Sequence, residues 1–268
     1  MNLLTALSHK IRPTLRQSAT VALDAFSGHT GPILSIDISP DGKGLVSGSQ
    51  DNTLCVWDVV NGKLIHDPLT GHADYVHFVQ YSSDGNQILS CSVDGTLHQW
   101  DARTWDSIKV NNPIIDKSTP LSQHDPQKFV SAAYSPDGSQ IATTSAGGSV
   151  CIWDSITGEM VVQPIQHKTW GLSVEFSADG MTLFTGWKDG AVQIWDVQSR
   201  QLVSSIQPEG DLQVSVFAFS SDQLYNVVSE PSFSDPTMYQ RSTRTGGRTP
   251  GSFEGHTNYI SKGVPVFI

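Results

Sequence analysis

The sequence predicts an all-β fold, a β-propeller of four-stranded antiparallel blades. Three observations carry that prediction. Trp-Asp pairs recur at Trp57, Trp100, Trp153 and Trp195, about 42 to 53 residues apart. A histidine stands upstream of each, at His29, His72, His124 and His167. Between them lies a turn signal: SPDG around Asp41 and Asp137, SSDG around Asp84, SADG around Asp179. A repeat of this length cut into short strands cannot bury its apolar face alone, so neighbouring copies must stack.

The elements follow in chain order. Residues 1–20 carry Lys10, Arg12 and Arg16 and no acid, with Leu3, Leu7 and Ile11 on one helical face. They are expected to form a short helix or a disordered lead-in ending near Pro13, and mitochondrial targeting is not expected. The propeller is expected over 21–268, opening with a strand at Val21–Phe26. In the first repeat Ile33–Ser39 alternates apolar and polar, and Pro40-Asp41-Gly42 turns the chain. Gly44–Ser49, Thr53–Trp57 and Leu64–Leu69 complete four strands, with a tight turn at Asp51-Asn52. The same reading gives blades at about 29–70, 72–112, 124–165 and 167–207. The stretch between Trp100 and His124 is about ten residues longer than its counterparts and forms a longer connection.

After Trp195 the repeat decays. A degenerate fifth blade is expected at 211–254, with Val214–Ser220 as its first strand. Tyr239 and Gln240 stand nearest the Trp-Asp place, and Arg241–Ser252 reads as a basic, flexible link. Gly255-His256 opens a partial sixth unit over 256–268, and Pro265 falls where a strand should run. Either the ring closes with an irregular last blade or the sequence is a piece of a longer array; the second is the expectation.

Composition narrows the function. A net charge of −10 and a low charged fraction, 16%, fit a folded, acidic chain. Nucleic acid and anionic membranes are therefore not expected partners. Cys55, Cys91 and Cys151 are odd in number, widely spaced and set in apolar stretches, which fits buried thiols in a reducing compartment. No short Cys/His pairing offers a metal site, and no cofactor is expected.

The order Gly-His, Ser/Thr, Asp, Trp-Asp resembles the WD-repeat family, most strongly over residues 21 to about 206. Four in-phase copies make the resemblance specific. It implies a structural tetrad in each blade. These are His29, Ser47, Asp51 and Trp57; His72, Ser90, Asp94 and Trp100; and His167, Thr185, Asp189 and Trp195. In the third blade His124, Thr143 and Trp153 remain, and Gly147 replaces the aspartate. A Ser-His-Asp set has the residue types of a hydrolase triad, but a catalytic set is single and sits in one cleft. Recurrence in phase marks a device that satisfies buried polar groups instead. The third blade, short of one member, is expected to be the looser.

The resemblance also implies a protein-binding top face with three presented positions per blade. The first gives Pro32, Tyr75, Lys128 and Trp170. The second gives Leu34, His77, Val130 and Leu172. The third gives Gln50, Val93, Ala146 and Lys188. Tyr75 and Trp170, flanked by Lys128, Lys188 and His77, suit a peptide with an apolar anchor and acidic flanks. The expected function is a non-catalytic scaffold or adaptor for other proteins or peptides, in cytoplasm or nucleus, with no small-molecule ligand. An alternative rests on Trp100-Asp101-Ala102-Arg103. This resembles the box by which some family members dock to cullin–RING ligase adaptors, with Asp101 and Arg103 as contacts. A further alternative is an enzyme with its site in the central channel. Coatomer-like, G-protein-β-like, RNA-processing and fungal immune-receptor arrays all remain open.

Overall fold

The structure is a computed structural model that describes residues 26–111, 128–207, 214, 216–219, 225–229, 238–245 and 248–253. The N-terminal extension, the strand expected before Phe26, His124 and the partial sixth unit lie outside the described residues. The described residues form nineteen strands in five antiparallel sheets, each ordered as the chain runs, and contain no helix. Blade 1 holds β1 (Ile33–Ile38), β2 (Gly44–Ser49) and β3 (Leu54–Asp58). Blade 2 holds β4 (Val76–Tyr81), β5 (Gln87–Ser92), β6 (Leu97–Asp101) and β7 (Ser107–Asn111). Blade 3 holds β8 (Phe129–Tyr134), β9 (Gln140–Ser145), β10 (Ser149–Asp154) and β11 (Met160–Gln166). Blade 4 holds β12 (Gly171–Phe176), β13 (Thr182–Trp187), β14 (Val192–Asp196) and β15 (Leu202–Ile206). Blade 5 holds β16 (Val216–Phe219), β17 (Tyr225–Ser229), β18 (Met238–Ser242) and β19 (Arg248–Phe253).

Three expectations need correcting. The fourth strand of blade 1, expected at Leu64–Leu69, touches β3 only at the bridges Trp57–Leu64 and Leu54–Leu69. Between the two bridges the chain bends at residues 65–67, which interrupts the ladder. In blade 5 the supposed link from Arg241 onward is instead the end of β18, a turn and β19. The register also moves the tryptophan place. Trp195 pairs with Leu183, one step in from the Thr182–Asp196 pair. Arg241 pairs with Asn226, one step in from Tyr225–Ser242. Arg241, not Tyr239, therefore stands where the tryptophan stood. It is buried and donates from Nη1 to the Gly190 carbonyl of blade 4 at 2.9 Å.

Most of the core lies between blades, and blade 1 adds a cluster of its own around Leu45, Cys55 and Trp57. One cluster joins Val46, Leu54 and Val56 of blade 1 to Val76, Val79 and Ile88 of blade 2. Others join Leu89 and Leu97 to Phe129 and Ile141, and Ala142 and Ile152 to Val174 and Leu183. Second strands such as β2 are covered on both faces, hence their unbroken run of small and apolar residues. The innermost strands are also cross-linked. Asp37 accepts from the Tyr81 amide at 2.8 Å, and Gln80 accepts from the Tyr134 amide at 3.2 Å. The four Asp-Gly turns share one geometry, each aspartate accepting from the serine two residues before it. These turns mark one end of blades 1 to 4; the loops of His29, His72 and His167 mark the other.

Candidate functional site

The tetrads close as donor–acceptor chains. In blade 1 the Trp57 indole donates to Ser47 Oγ at 2.9 Å, and Ser47 Oγ lies 2.7 Å from His29 Nε2. His29 Nδ1 lies 2.9 Å from Asp51 Oδ2. Asp51 also accepts from the Thr30 amide at 2.8 Å and the Thr53 hydroxyl at 2.6 Å. Consistent donation puts the histidine proton on Nδ1, facing the carboxylate. Blade 2 repeats this: Trp100 to Ser90 at 2.9 Å, Ser90 to His72 at 2.8 Å, His72 to Asp94 at 3.2 Å. Burial would raise both carboxyls, but the surrounding donors win. Thr53, the Thr30 amide and His29 bring Asp51 down to about 2. His72, Thr96 and the Ala73 amide hold Asp94 well below the usual carboxylate range. The glycine before His29 has a steric cause: a Cβ on Gly28 would come within 2.7 Å of the Trp57 ring.

This is a triad in distances but not in access. Ser47 and Ser90 are fully buried, and each hydroxyl oxygen already accepts an indole N–H. An attacking oxygen needs an open approach and a site where the substrate can sit. Neither serine has one.

The later blades depart by steps. In blade 3 the link from Trp153 to Thr143 survives at 2.9 Å, while His124 lies outside the described residues. In blade 4 Trp195 reaches Thr185 at 3.2 Å, but His167 presents Nε2, not Nδ1, to Asp189 at 3.1 Å. Trp187 explains the reversed ring. It stands where the first three blades have Ser49, Ser92 and Ser145, and His167 stacks on it at 4.3 Å. Blade 5 has Val228 at the hydroxyl place and Arg241 at the indole place, so it has no tetrad.

The presented positions form a constant frame. The third-position amide donates to the first-position carbonyl in four blades: Gln50 to Pro32, Val93 to Tyr75, Ala146 to Lys128, Lys188 to Trp170, all at 2.8 to 3.0 Å. The second positions, Leu34, His77, Val130 and Leu172, each sit at a break in strand register. A bulge there bends the strand and turns the residue out of the regular alternation. Tyr75 is 42% exposed, and the Lys188 ammonium lies 4.5 Å above the Trp170 ring. Ala146 and Leu172 are buried, Leu172 against Val192, Val214 and Phe219, and present no side chain to a partner.

The aspartates of the Trp-Asp pairs cap turns. Asp101 Oδ1 accepts from the Arg103 and Thr104 amides at 2.8 and 2.9 Å, and these hold its carboxyl below the ordinary range. Asp58 and Asp154 make the same bonds in their own blades. Asp101 thus has a local role common to the repeats, and Arg103 is exposed.

Sequence reasoning missed His98. It is buried, its ring centre 4.0 Å from that of His72, and burial together with His72 lowers it to about 4. Its place, two before the tryptophan, is Cys55 in blade 1 and Cys151 in blade 3, which was a readable signal. Among the described residues no group of three His, Cys, Asp or Glu side chains could hold a metal ion, and no helix is long and apolar enough to cross a membrane.

The comparisons agree with this geometry. The family model "WD domain, G-beta repeat" matches residues 21–58, 62–101, 117–154 and 161–196, more than half of the chain. A eukaryotic translation initiation factor 3 subunit I from Phaeosphaeria nodorum is 41% identical over 44 residues, 16% of this chain and 13% of that protein. The transcriptional repressor tup12 of Schizosaccharomyces pombe is 38% identical over 47 residues, 18% of this chain and 8% of its own. The human serine-threonine kinase receptor-associated protein is 49% identical over 41 residues, 15% of this chain and 12% of its own. Each likeness spans about one repeat and a small part of the relative's length. With four matched repeats, tetrads in phase and blades of antiparallel strands, the chain belongs to the WD-repeat family.

Proposed function

We propose that the chain is a non-catalytic protein-interaction scaffold that meets its partners at the histidine-loop end of the blades. The observation that carries this is the repeated bond between third and first positions. It holds one backbone frame while the side chains on it change from Pro32 to Tyr75, Lys128 and Trp170. A rigid frame with varied side chains suits recognition. The favoured partner is a peptide with an apolar anchor and acidic flanks. Tyr75 and Trp170 supply flat amphipathic surface, and Lys128 and Lys188 supply charge. The buried hydroxyls of the tetrads support the non-catalytic reading. The ligase-adaptor reading has less to stand on, because Asp101 makes the same turn bonds as Asp58 and Asp154.

We place the protein's work inside the cell, in cytoplasm or nucleus. Three buried thiols fit a reducing compartment, and the relatives include a translation initiation factor subunit and a transcriptional repressor. The test is affinity purification with mass spectrometry on the chain and its Tyr75→Ala/Trp170→Ala variant. Specific partners should be lost while the melting temperature holds. Unchanged recovery from an intact fold would move the site off this end.

A further inference from the structure

The residue before the tetrad tryptophan is apolar in three blades, Val56, Ile152 and Ile194, and polar in one, Gln99. Gln99 is 2% exposed, at the joint between blades 2 and 3. An amide in an apolar slot needs good partners, since a buried polar group left half-satisfied is costly. Those it has are poor. Its Nε2 donates to Gln87 Oε1 at 3.3 Å and to the Tyr134 hydroxyl at 3.4 Å, and that hydroxyl donates to the same Gln87 oxygen at 3.4 Å. All three bonds are well beyond the usual 2.9 Å or so.

This triangle is part of the lining of a cleft of about 440 Å³ at the Asp-Gly-turn end. Its lining also includes Asp84 and Asp137, each held ionised by serine and backbone donors. Ile108 and Ile156 line it too and are 52% and 84% exposed. The cleft therefore combines acceptors with slack, two fixed negative charges and two exposed aliphatic side chains.

We propose that this cleft binds the arginine side chain of a partner peptide, with an aliphatic neighbour seated on the isoleucines. Arginine matches each part of the lining. Its planar fork of donors serves several acceptors at once, its charge faces the carboxylates, and its methylene stem lies along apolar surface. Lysine offers a compact charge without the fork, so it fits less well. The chain's net charge of −10 adds a long-range pull on cationic segments. This site is at the opposite end from the one proposed above, and the two stand or fall separately.

The test uses the whole chain labelled at isoleucine δ1 methyls, with Ile108 and Ile156 assigned through Ile108→Val and Ile156→Val. The probes are acetyl-Leu-Arg-amide and its lysine and citrulline analogues. The arginine probe should shift both methyls. Lysine should bind several-fold more weakly and citrulline about tenfold more weakly, because it keeps the shape and loses the charge. Asp84→Asn/Asp137→Asn retains the turn-capping oxygens and should weaken the arginine probe about tenfold. Gln99→Ile should weaken it without lowering the melting temperature, while Tyr75→Ala/Trp170→Ala should leave it unchanged. Equal binding of citrulline, shifts confined to other methyls, or no shift at millimolar probe would overturn the proposal.

Discussion

Blades 1 and 2 hold their histidines by both ring nitrogens, and blade 4 holds its histidine by one. His29 and His72 bridge hydroxyl to carboxylate, whereas His167 meets Asp189 through Nε2 and leans on Trp187. A serine fills the corresponding place in blades 1 and 2 and lets the ring stand in line. An indole fills it in blade 4, and stacking replaces the second hydrogen bond. The repeat thus tolerates the loss of its polar chain where apolar packing takes over. The residue that decides which occurs is not one of the four that define the motif.

The largest effect should separate these regions directly. Asp94 accepts from His72, the Ala73 amide, and the Thr96 amide and hydroxyl. Asp94→Ala should cost roughly 3–4 kcal/mol, since several charge-assisted bonds go and buried donors are stranded. Asp189 accepts from His167 at 3.1 Å, the Ala191 amide at 3.2 Å and exposed Lys168 at 3.4 Å. Asp189→Ala should cost roughly 1–2 kcal/mol. Urea midpoints compare the two; equal losses would mean the stacked histidine is held no more loosely than the bridged ones.

Acid sharpens the comparison within the intact pair. His98 titrates at about 4 in the fold and near 6.5 when unfolded, because burial beside His72 disfavours its charge. Between those values the unfolded chain binds the extra proton, so stability should fall as pH drops from about 6.5 to about 4. His98→Cys, which copies Cys55 and Cys151, should flatten that slope. Further down, Asp51, lowered to about 2 from 3.8, gives stability that is present above about 3.8 and lost as pH falls through about 2. A slope unchanged in His98→Cys would remove His98 from the account.

These contrasts also show how far sequence reading reaches. Blade number up to the fourth, strand order and the polar chains of blades 1 and 2 were legible, because period, turn residues and a recurring polar set each point the same way. Blade 5 was legible as strands but not in register. Tyr239 resembles tryptophan and Arg241 does not, yet the strand pairing puts Arg241 in the place. Chemical likeness is a weak guide to register when a one-residue slip turns every side chain over. The twelve positions expected to be presented do not share one environment: Ala146 and Leu172 are buried, because burial depends on the neighbouring blade as much as on the repeat. The reversed ring of His167 depends on Trp187, whose contacts exist only across the folded loop.

A smaller effect lies in the turn after each Trp-Asp pair. The fifth residue past the tryptophan has positive φ in four blades: Gly62 at 70°, Trp105 at 66°, Gly158 at 72°, Arg200 at 63°. Arg200 is exposed, so Arg200→Gly relieves backbone strain at little loss of packing. It should raise stability by about 0.5–1 kcal/mol. Trp105 packs against the core between blades 1 and 2 and lies 6.2 Å from the His66 ring. Trp105→Gly should therefore destabilise despite the same relief. Gains of similar size at both sites would mean that Trp105 adds nothing to the joint.

An effect of similar size is expected at Lys188, the position of blade 4 that answers to Gln50 and Val93. Its amide helps build the frame through Trp170, and its ammonium lies over the Trp170 ring. Lys188→Met keeps the amide bond and the length of the stem and removes only the charge. This half-buried cation–π contact contributes about 1 kcal/mol, so melting should shift by about 2 °C. Binding should respond more strongly than melting. The lysine holds the ring in one orientation and carries the charge that an acidic flank would meet, so its removal loses ordering and attraction together. Partner recovery in the affinity purification should therefore fall most for partners retained at low salt and least for those retained at high salt. A large drop in melting temperature would make the pair a structural brace. Unchanged recovery at every salt concentration would leave Trp170 to act without it.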